Sequence, residues 1–155
     1  MKPVNEQWPI DLENLIIEIM VAEKVYGTII QADRHPHKSP YFKKRHFKLQ
    51  RFAHNLSEEF YILEGRKPSV SEKANLAIFN SRNFLEDKMT DRELDFLIME
   101  KEQALSVQYQ KVLAYNSLPA TTNAILQSQA EELNNLIQEL LLDYKINLRR
   151  ESTTI

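Results

Sequence analysis

The segment LIMEKEQALSVQYQKVL, residues 97–113, carries the pattern that decides the fold. Its apolar side chains recur at the spacing of one helical face, at Ile98, Leu105, Tyr109 and Val112. Glu102 interrupts this face, because it lies four residues after Ile98 and seven before Tyr109. A charged side chain on the buried face of a helix needs a partner inside the protein. The segment therefore predicts a helical core with a polar group inside it.

The helical period recurs along the rest of the chain. Two glycines in 155 residues leave no glycine-rich phosphate loop and disfavour sheet architectures, which use glycine freely. Ser39 is predicted to cap the second helix, with Pro40 in its first turn. Four long amphipathic helices are expected: residues 10–32, residues 39–63 ended by Gly65, residues 90–115 behind the capping sequence TDRE, and a last helix after SLPATT that contains residues 126–144.

The connections between these helices indicate the topology. DRHPHKS (33–39) and NSLPAT (116–121) are short, and short links join antiparallel neighbours. The link 65–89 is much longer and is predicted to contain a short helix over 71–85. Two helical hairpins joined by one long crossover form the ferritin-like arrangement. We expect one domain over residues 1–155, with a core from about residue 10 to about residue 146 and a frayed C-terminal tail, RRESTTI.

Composition argues against several classes of protein. A formal net charge of -2 provides no field that would attract nucleic acid or anionic lipid. The absence of cysteine excludes disulfides, thiolate metal sites and cysteine nucleophiles. The first residues, MKPVNEQWPIDLEN, contain acids and a proline where a signal peptide would need an apolar core, so none is expected. No apolar run approaches the ~20 residues that a membrane span needs. We therefore expect a cytoplasmic protein that binds neither nucleic acid nor membrane.

Several pieces of the sequence carry a family resemblance. These pieces are LENLIIEIMVAEKVYGTIIQAD, YFKKRHFKLQRFAHNL, MEKEQALSVQYQKVL, and SLP with ILQSQAEELNNLIQEL. Together they resemble a bacterial family of ferritin-like four-helix-bundle proteins of uncharacterised function. The resemblance covers roughly residues 12–141. It implies a fold and no particular activity. Its marks are Tyr26, Gln50 and Arg51, Glu102 with Ala104 and Tyr109, Leu118 and Pro119, and Gln129.

Better-known ferritin-like proteins hold two iron or manganese ions. That site takes a Glu from each of two helices and a Glu-x-x-His pair from each of the other two. Here the second helix has no acid in RHFKLQRFAHNL, and the fourth has no histidine in QSQAEELNNL. The sequence therefore lacks the standard set of di-metal ligands, and we expect no cofactor.

Each predicted helix nevertheless places a polar side chain on its inner face. At 100° per residue these are Glu23, His46, Glu102 and Gln129. We expect them to form a buried polar network with the hydroxyls of Tyr26 and Tyr109, because buried polar groups are nearly always hydrogen-bonded.

Three interpretations of this network compete. In the first it is structural and fixes the helix register. In the second Glu23, His46 and Glu102 hold a single divalent ion, Fe or Mn, with water completing the coordination. In the third Glu23 or Glu102 is a general acid or base, although the sequence shows no substrate pocket for it.

Other residues of the sequence could form sites or interfaces. His35 and His37 are interpreted as solvated loop residues. His54 and the basic residues of FKKRHFK, which are Lys43, Lys44, Arg45 and Lys48, are interpreted as a solvated helix face. A second apolar stripe on the third helix needs cover, either from the crossover helix through Ala74, Ile78 and Leu85 or from a second copy in a homodimer. Its members are Phe96, Met99 and Val107.

We expect a ferritin-like bundle protein that is non-catalytic or binds a partner, with no catalytic residues. The alternative is a metal-binding oxidoreductase or iron-handling protein with a single-ion or atypical di-metal site.

Overall fold

Four long α-helices form the part of the chain that the structure describes. The computed structural model describes residues 7–69, 79 and 89–153. The helices are α1 (Trp8–Ala32), α2 (Ser39–Glu64), α3 (Asp91–Leu113) and α4 (Ala120–Thr153), and a short 3-10 turn, Pro36–Lys38, precedes α2. No strand occurs within the described ranges. The predicted all-α fold class is confirmed for them.

Two of the predicted helix ends are confirmed and one is not. The Thr90 hydroxyl accepts a hydrogen bond of 3.1 Å from the Glu93 backbone N–H, as the sequence TDRE predicts. Gly65 ends α2 with φ of 72°, in the left-handed region that favours glycine. Ser39 is already the first residue of α2 and makes no cap, because the 3-10 turn leads into the helix through Lys38 in helical conformation.

The last helix is longer than the sequence predicts. It has 34 residues and continues to Thr153, into the stretch 149–153 that was expected to fray. No proline or glycine occurs between residues 120 and 153 to end it.

Each helix adjoins two others. α1 packs on α2 and α3, and α4 packs on α3 and α2. In contrast, no described Cα atom of α2 comes within 8 Å of one in α3, and the same holds for α1 and α4. Arg66, just after α2, binds Glu13 near the start of α1. Thr122, near the start of α4, donates to Glu59 near the end of α2. The adjoining helices in both pairs are therefore antiparallel, and α2 faces α3 across the bundle diagonal.

The start of α3 lies beside the start of α2. His37 Nε2 is 2.9 Å from Asp91 Oδ1, and Lys38 Nζ is 2.5 Å from Asp95 Oδ1. The chain between the end of α2 and the start of α3 therefore joins opposite ends of the bundle. From this connection Phe79 is buried, and its ring centroid lies 5.5 Å from that of Tyr26. Apart from Phe79, the predicted short helix over 71–85, with Ala74, Ile78 and Leu85, lies outside the described residues.

The second apolar stripe of α3 has three different environments. Met99 is buried, Phe96 is half-exposed, and Val107 is exposed. The Phe96 ring packs on Tyr144 of α4 with ring centroids 6.0 Å apart. Part of the stripe is thus covered from within the bundle.

The core is a single apolar cluster to which all four helices contribute. Its largest fully buried side chains are Tyr26, Tyr109, Phe42, Phe60, Phe79, Leu12, Leu15, Ile16, Ile17, Ile19 and Leu49. None of the described helices is both long enough and apolar enough to cross a membrane.

Candidate functional site

An ion pair between Arg45 and Glu102 lies at the centre of the core. Glu102 is completely buried and Arg45 is 5% exposed. Arg45 Nε donates to Glu102 Oε2, and Arg45 Nη2 donates to Glu102 Oε1 at 3.3 Å. Two parallel hydrogen bonds of this kind hold the carboxylate in one orientation. The pair connects α2 with α3 across the diagonal, where the two backbones do not meet.

Burial and mutual charge act in opposite directions on this pair. Burial raises the pKa of the Glu102 carboxyl, and the neighbouring Arg45 guanidinium offsets only part of that rise. Burial by itself would lower the pKa of Arg45, but the Glu102 carboxylate more than compensates, so the pKa lies above its ordinary value. The guanidinium is therefore charged at every physiological pH. The fold holds a permanent cation in its core, with one carboxylate to balance it.

Tyr109 and Gln129 form a second polar contact in the core. The Tyr109 hydroxyl donates to Gln129 Oε1 at 2.7 Å, and Gln129 Nε2 donates to the Phe52 carbonyl at 3.3 Å. Gln129 thus links α4 to both of its neighbours. Of the predicted polar network, the contact between Tyr109 and Gln129 is present.

Three tyrosines surround the ion pair. Burial raises the pKa of Tyr26, Tyr41 and Tyr109, and the negative charge of Glu102 adds to the rise in each. The rings of Tyr26 and Tyr41 meet edge to face with centroids 6.2 Å apart. All three hydroxyls are therefore protonated, and none is a candidate general base.

The structure places Glu23 and His46 outside this buried layer. Both are half-buried, and His46 Nδ1 donates to the backbone carbonyl of Glu23 at 2.8 Å. The core face of α2 passes through Arg45, one residue earlier, so His46 is turned towards α1. There it lies against Gly27, where a Cβ atom would come within 3.3 Å of His46 Cε1. Gly27 therefore makes room for the imidazole.

The residues at the centre do not fit a metal ion. Glu23, His46 and Glu102 are not brought together, and no three His, Asp or Glu side chains cluster at metal-binding spacing among residues 7–69, 79 and 89–153. Both oxygens of Glu102 already accept from Arg45. A guanidinium is cationic and offers no lone pair to a metal.

Sequence reasoning missed five buried charged residues within the described ranges, which are Asp11, Glu13, Glu18, Arg45 and Asp95. Two of them, Arg45 and Asp95, bear on the ion pairs of the core. Arg45 was interpreted as part of a solvated basic face, although its position three residues after Phe42 and four before Leu49 is a core position. Asp95 is completely buried and pairs with Lys38 at 2.5 Å. For Arg45 the spacing alone did not decide, because the adjacent His46 also lies between Phe42 and Leu49 at helical spacing.

Of the remaining histidines, His37 and His54 lie at the surface and His35 is buried. His54 is exposed and lies 3.1 Å from Glu58 on the same helix, as expected for a solvated face. His37 pairs with Asp91, whereas His35, which the sequence assigned to a solvated loop, is 9% exposed.

A cleft opens beside the ion pair, between α2 and α4. Its volume is about 240 Å³, and Arg45 forms part of its wall. The other lining residues are Tyr41, Lys44, Lys48, Phe52, Glu132, Asn135, Leu136 and Glu139.

Comparison with family models, with curated proteins and with solved structures finds no match for this chain. The fold and the site together define an all-helical protein with a bidentate ion pair in its core and an adjoining cleft.

Proposed function

We propose that this protein is a ferritin-like four-helix bundle that acts by binding rather than by catalysis. The observation that carries the proposal is the bidentate Arg45–Glu102 pair. In the di-metal proteins with this architecture, inward-facing carboxylates neutralise metal cations. Here a guanidinium neutralises the central carboxylate.

The helix contacts support the ferritin-like arrangement. Helices α1 and α2 are antiparallel neighbours, α3 and α4 adjoin each other, and the connection between the two pairs joins opposite ends of the bundle. A long crossover between two hairpins has these features. The proposed family membership rests on this topology and on the sequence marks Tyr26, Glu102, Tyr109 and Gln129, all of which lie in the core.

The charge of Arg45 supports a role without a metal. An incoming divalent ion would compete with the guanidinium for the oxygens of Glu102 and would be repelled by it at short range. The three neighbouring tyrosines have raised pKa values, so they do not supply phenolate ligands. In this proposal the central layer holds the helices in register, and Arg45 contributes to the wall of the cleft.

Metal analysis and thermal melts test this proposal. The protein is purified without chelator or affinity metal, and wild type, Glu102→Gln and the exposed-carboxylate control Glu132→Gln are melted with and without Mn²⁺ and Fe²⁺. We expect no bound metal in the purified protein, and the same small change in melting temperature on metal addition for all three proteins. A ligand present at 100 times its Kd stabilises by about 2.7 kcal/mol. The proposal would be overturned if metal stabilised wild type and Glu132→Gln by that amount but did not stabilise Glu102→Gln. Purified protein that contains about two metal ions per chain would also overturn it.

A further inference from the structure

The cleft between α2 and α4 combines an unused buried donor with walls of opposite charge. Resting on the proposed binding function, we infer that this cleft binds a small zwitterion of the amino-acid type, whose carboxylate meets Arg45 and Lys44 and whose ammonium meets Glu139. An apolar side chain of the ligand would lie against Phe52 and Leu136.

Arg45 supplies the donor. A guanidinium has five N–H groups, and Glu102 accepts only from Nε and Nη2. Among the described residues, Arg45 makes no hydrogen bond besides the two to Glu102. Arg45 is also one of the residues that line the cleft. A carboxylate placed there would receive a charge-assisted hydrogen bond from a side chain that is already held in position.

The two walls of the cleft carry opposite charges. Lys44 and Lys48 lie on α2, and Glu132 and Glu139 lie on α4. Lys48 and Glu132 already face each other, with Nζ 3.6 Å from Oε2. No described side chain pairs with Lys44 or Glu139. Because α2 and α4 are antiparallel, these two residues lie towards the same end of the cleft, beside Tyr41.

The size and lining of the cleft define the class of ligand. At about 240 Å³ it is smaller than the ~300–1,000 Å³ pockets of drug-sized ligands. Phe52 and Leu136 give it an apolar surface, and Asn135 offers an amide at the rim. A dianion would meet the two glutamates, and a diamine would meet Arg45 and the lysines. A small zwitterion with an apolar side chain matches both walls.

NMR titrations with three related compounds test this inference. The probes are phenylalanine, 3-phenylpropionate, which lacks the ammonium, and phenethylamine, which lacks the carboxylate. We expect phenylalanine to bind with a Kd on the order of millimolar, as its size allows, and to shift the amide signals of residues lining the cleft. Phenethylamine should bind most weakly, because it cannot engage Arg45.

Variants at the rim keep the test independent of the core. Glu139→Gln should weaken phenylalanine binding up to about fivefold and leave 3-phenylpropionate unchanged, as expected for loss of one exposed charge contact. Glu131→Gln, on the same helix but outside the cleft lining, should change neither. Leu136→Trp should fill the cleft and reduce binding of all three probes.

The outcomes separate this inference from the proposed function. If no probe shifts the cleft signals, or if all three bind equally well and Glu139→Gln has no effect, the inference is wrong while the metal experiment stands unaffected. Phenylalanine binding together with a Glu102-dependent metal response would overturn the proposed function and leave the cleft assignment intact.

Discussion

Removing one partner of the central ion pair should destabilise the fold far more than removing both. Arg45→Met leaves the Glu102 carboxylate buried without a partner, and an uncompensated buried charge costs about 3–5 kcal/mol. Glu102→Leu leaves the guanidinium in the same position and should cost a similar amount. The double variant replaces both charges by apolar side chains, and its stability should lie within about 1 kcal/mol of wild type or above it. Urea unfolding followed by circular dichroism measures all four proteins.

The loss of stability in Arg45→Met should depend on pH, and the direction of this dependence follows from the pKa of Glu102. Burial raises the pKa of this carboxyl, and Arg45 is the group that opposes the rise, so the variant raises it further. The unfolded chain then releases the Glu102 proton at lower pH than the folded chain does. Stability of the variant therefore falls as pH rises above the ordinary carboxyl value of about 4.5. At lower pH Glu102 is protonated, and the loss of stability should shrink towards about 1–3 kcal/mol, the cost of burying a neutral polar group without a partner.

The exposed pair Lys48–Glu132 provides the control for this cycle. Its side chains are 38% and 50% exposed, so Lys48→Met should cost no more than about 1 kcal/mol. The reasoning is refuted if Arg45→Met costs no more than Lys48→Met, or if the losses of the two core variants simply add in the double variant.

Three further predictions concern other parts of the fold. In a His46→Ala background, Gly27→Ala should stabilise the protein by about 1 kcal/mol, because alanine has the higher helix propensity. In the wild-type background the gain should be smaller, because the new methyl group crowds the His46 imidazole. Equal gains in the two backgrounds, measured by urea unfolding, would contradict this. Thr90→Ala should cost about 1 kcal/mol by removing the cap of α3, whereas Thr90→Ser should retain most of it. Three core tyrosines have a pKa above the ordinary value of 10.0: Tyr26, Tyr41 and Tyr109. The unfolded chain releases the protons of these three tyrosines at lower pH than the folded chain does, so stability should hold below pH 10 and fall above it. In a pH titration, the phenolate absorbance of the three core tyrosines should appear together with the loss of helical circular dichroism. Phenolate absorbance from all six tyrosines before the helix is lost would contradict this.

The apolar period was sufficient to predict the four long helices, the bounds of the first three to within a few residues, and the inward position of Glu102. It also placed Tyr26, Tyr109 and Gln129 in the core, because each occupies a position that an apolar residue would otherwise take. Capping chemistry located the start of α3 and the end of α2, since Thr90 and Gly65 act through local geometry alone.

The partner of Glu102 could not be found in this way. Arg45 and His46 are adjacent, so a rotation of α2 by one residue decides which of them enters the core. That rotation depends on how α2 packs against α1, where Gly27 admits the His46 ring. The cleft could not be predicted from the sequence either, because it depends on the distance between α2 and α4 in the fold and not on the sequence of either helix alone.

The Arg45 Nε–H signal in an NMR spectrum recorded during Mn²⁺ addition tests the central claim most directly. Glu102 accepts from this group inside the core, so its signal should be protected from exchange with water, absent from Glu102→Gln, and unchanged by Mn²⁺. A paramagnetic ion bound at Glu102 would broaden the signal at substoichiometric concentration. That broadening, or an Nε–H that exchanges freely in wild type, would contradict a core organised around an ion pair.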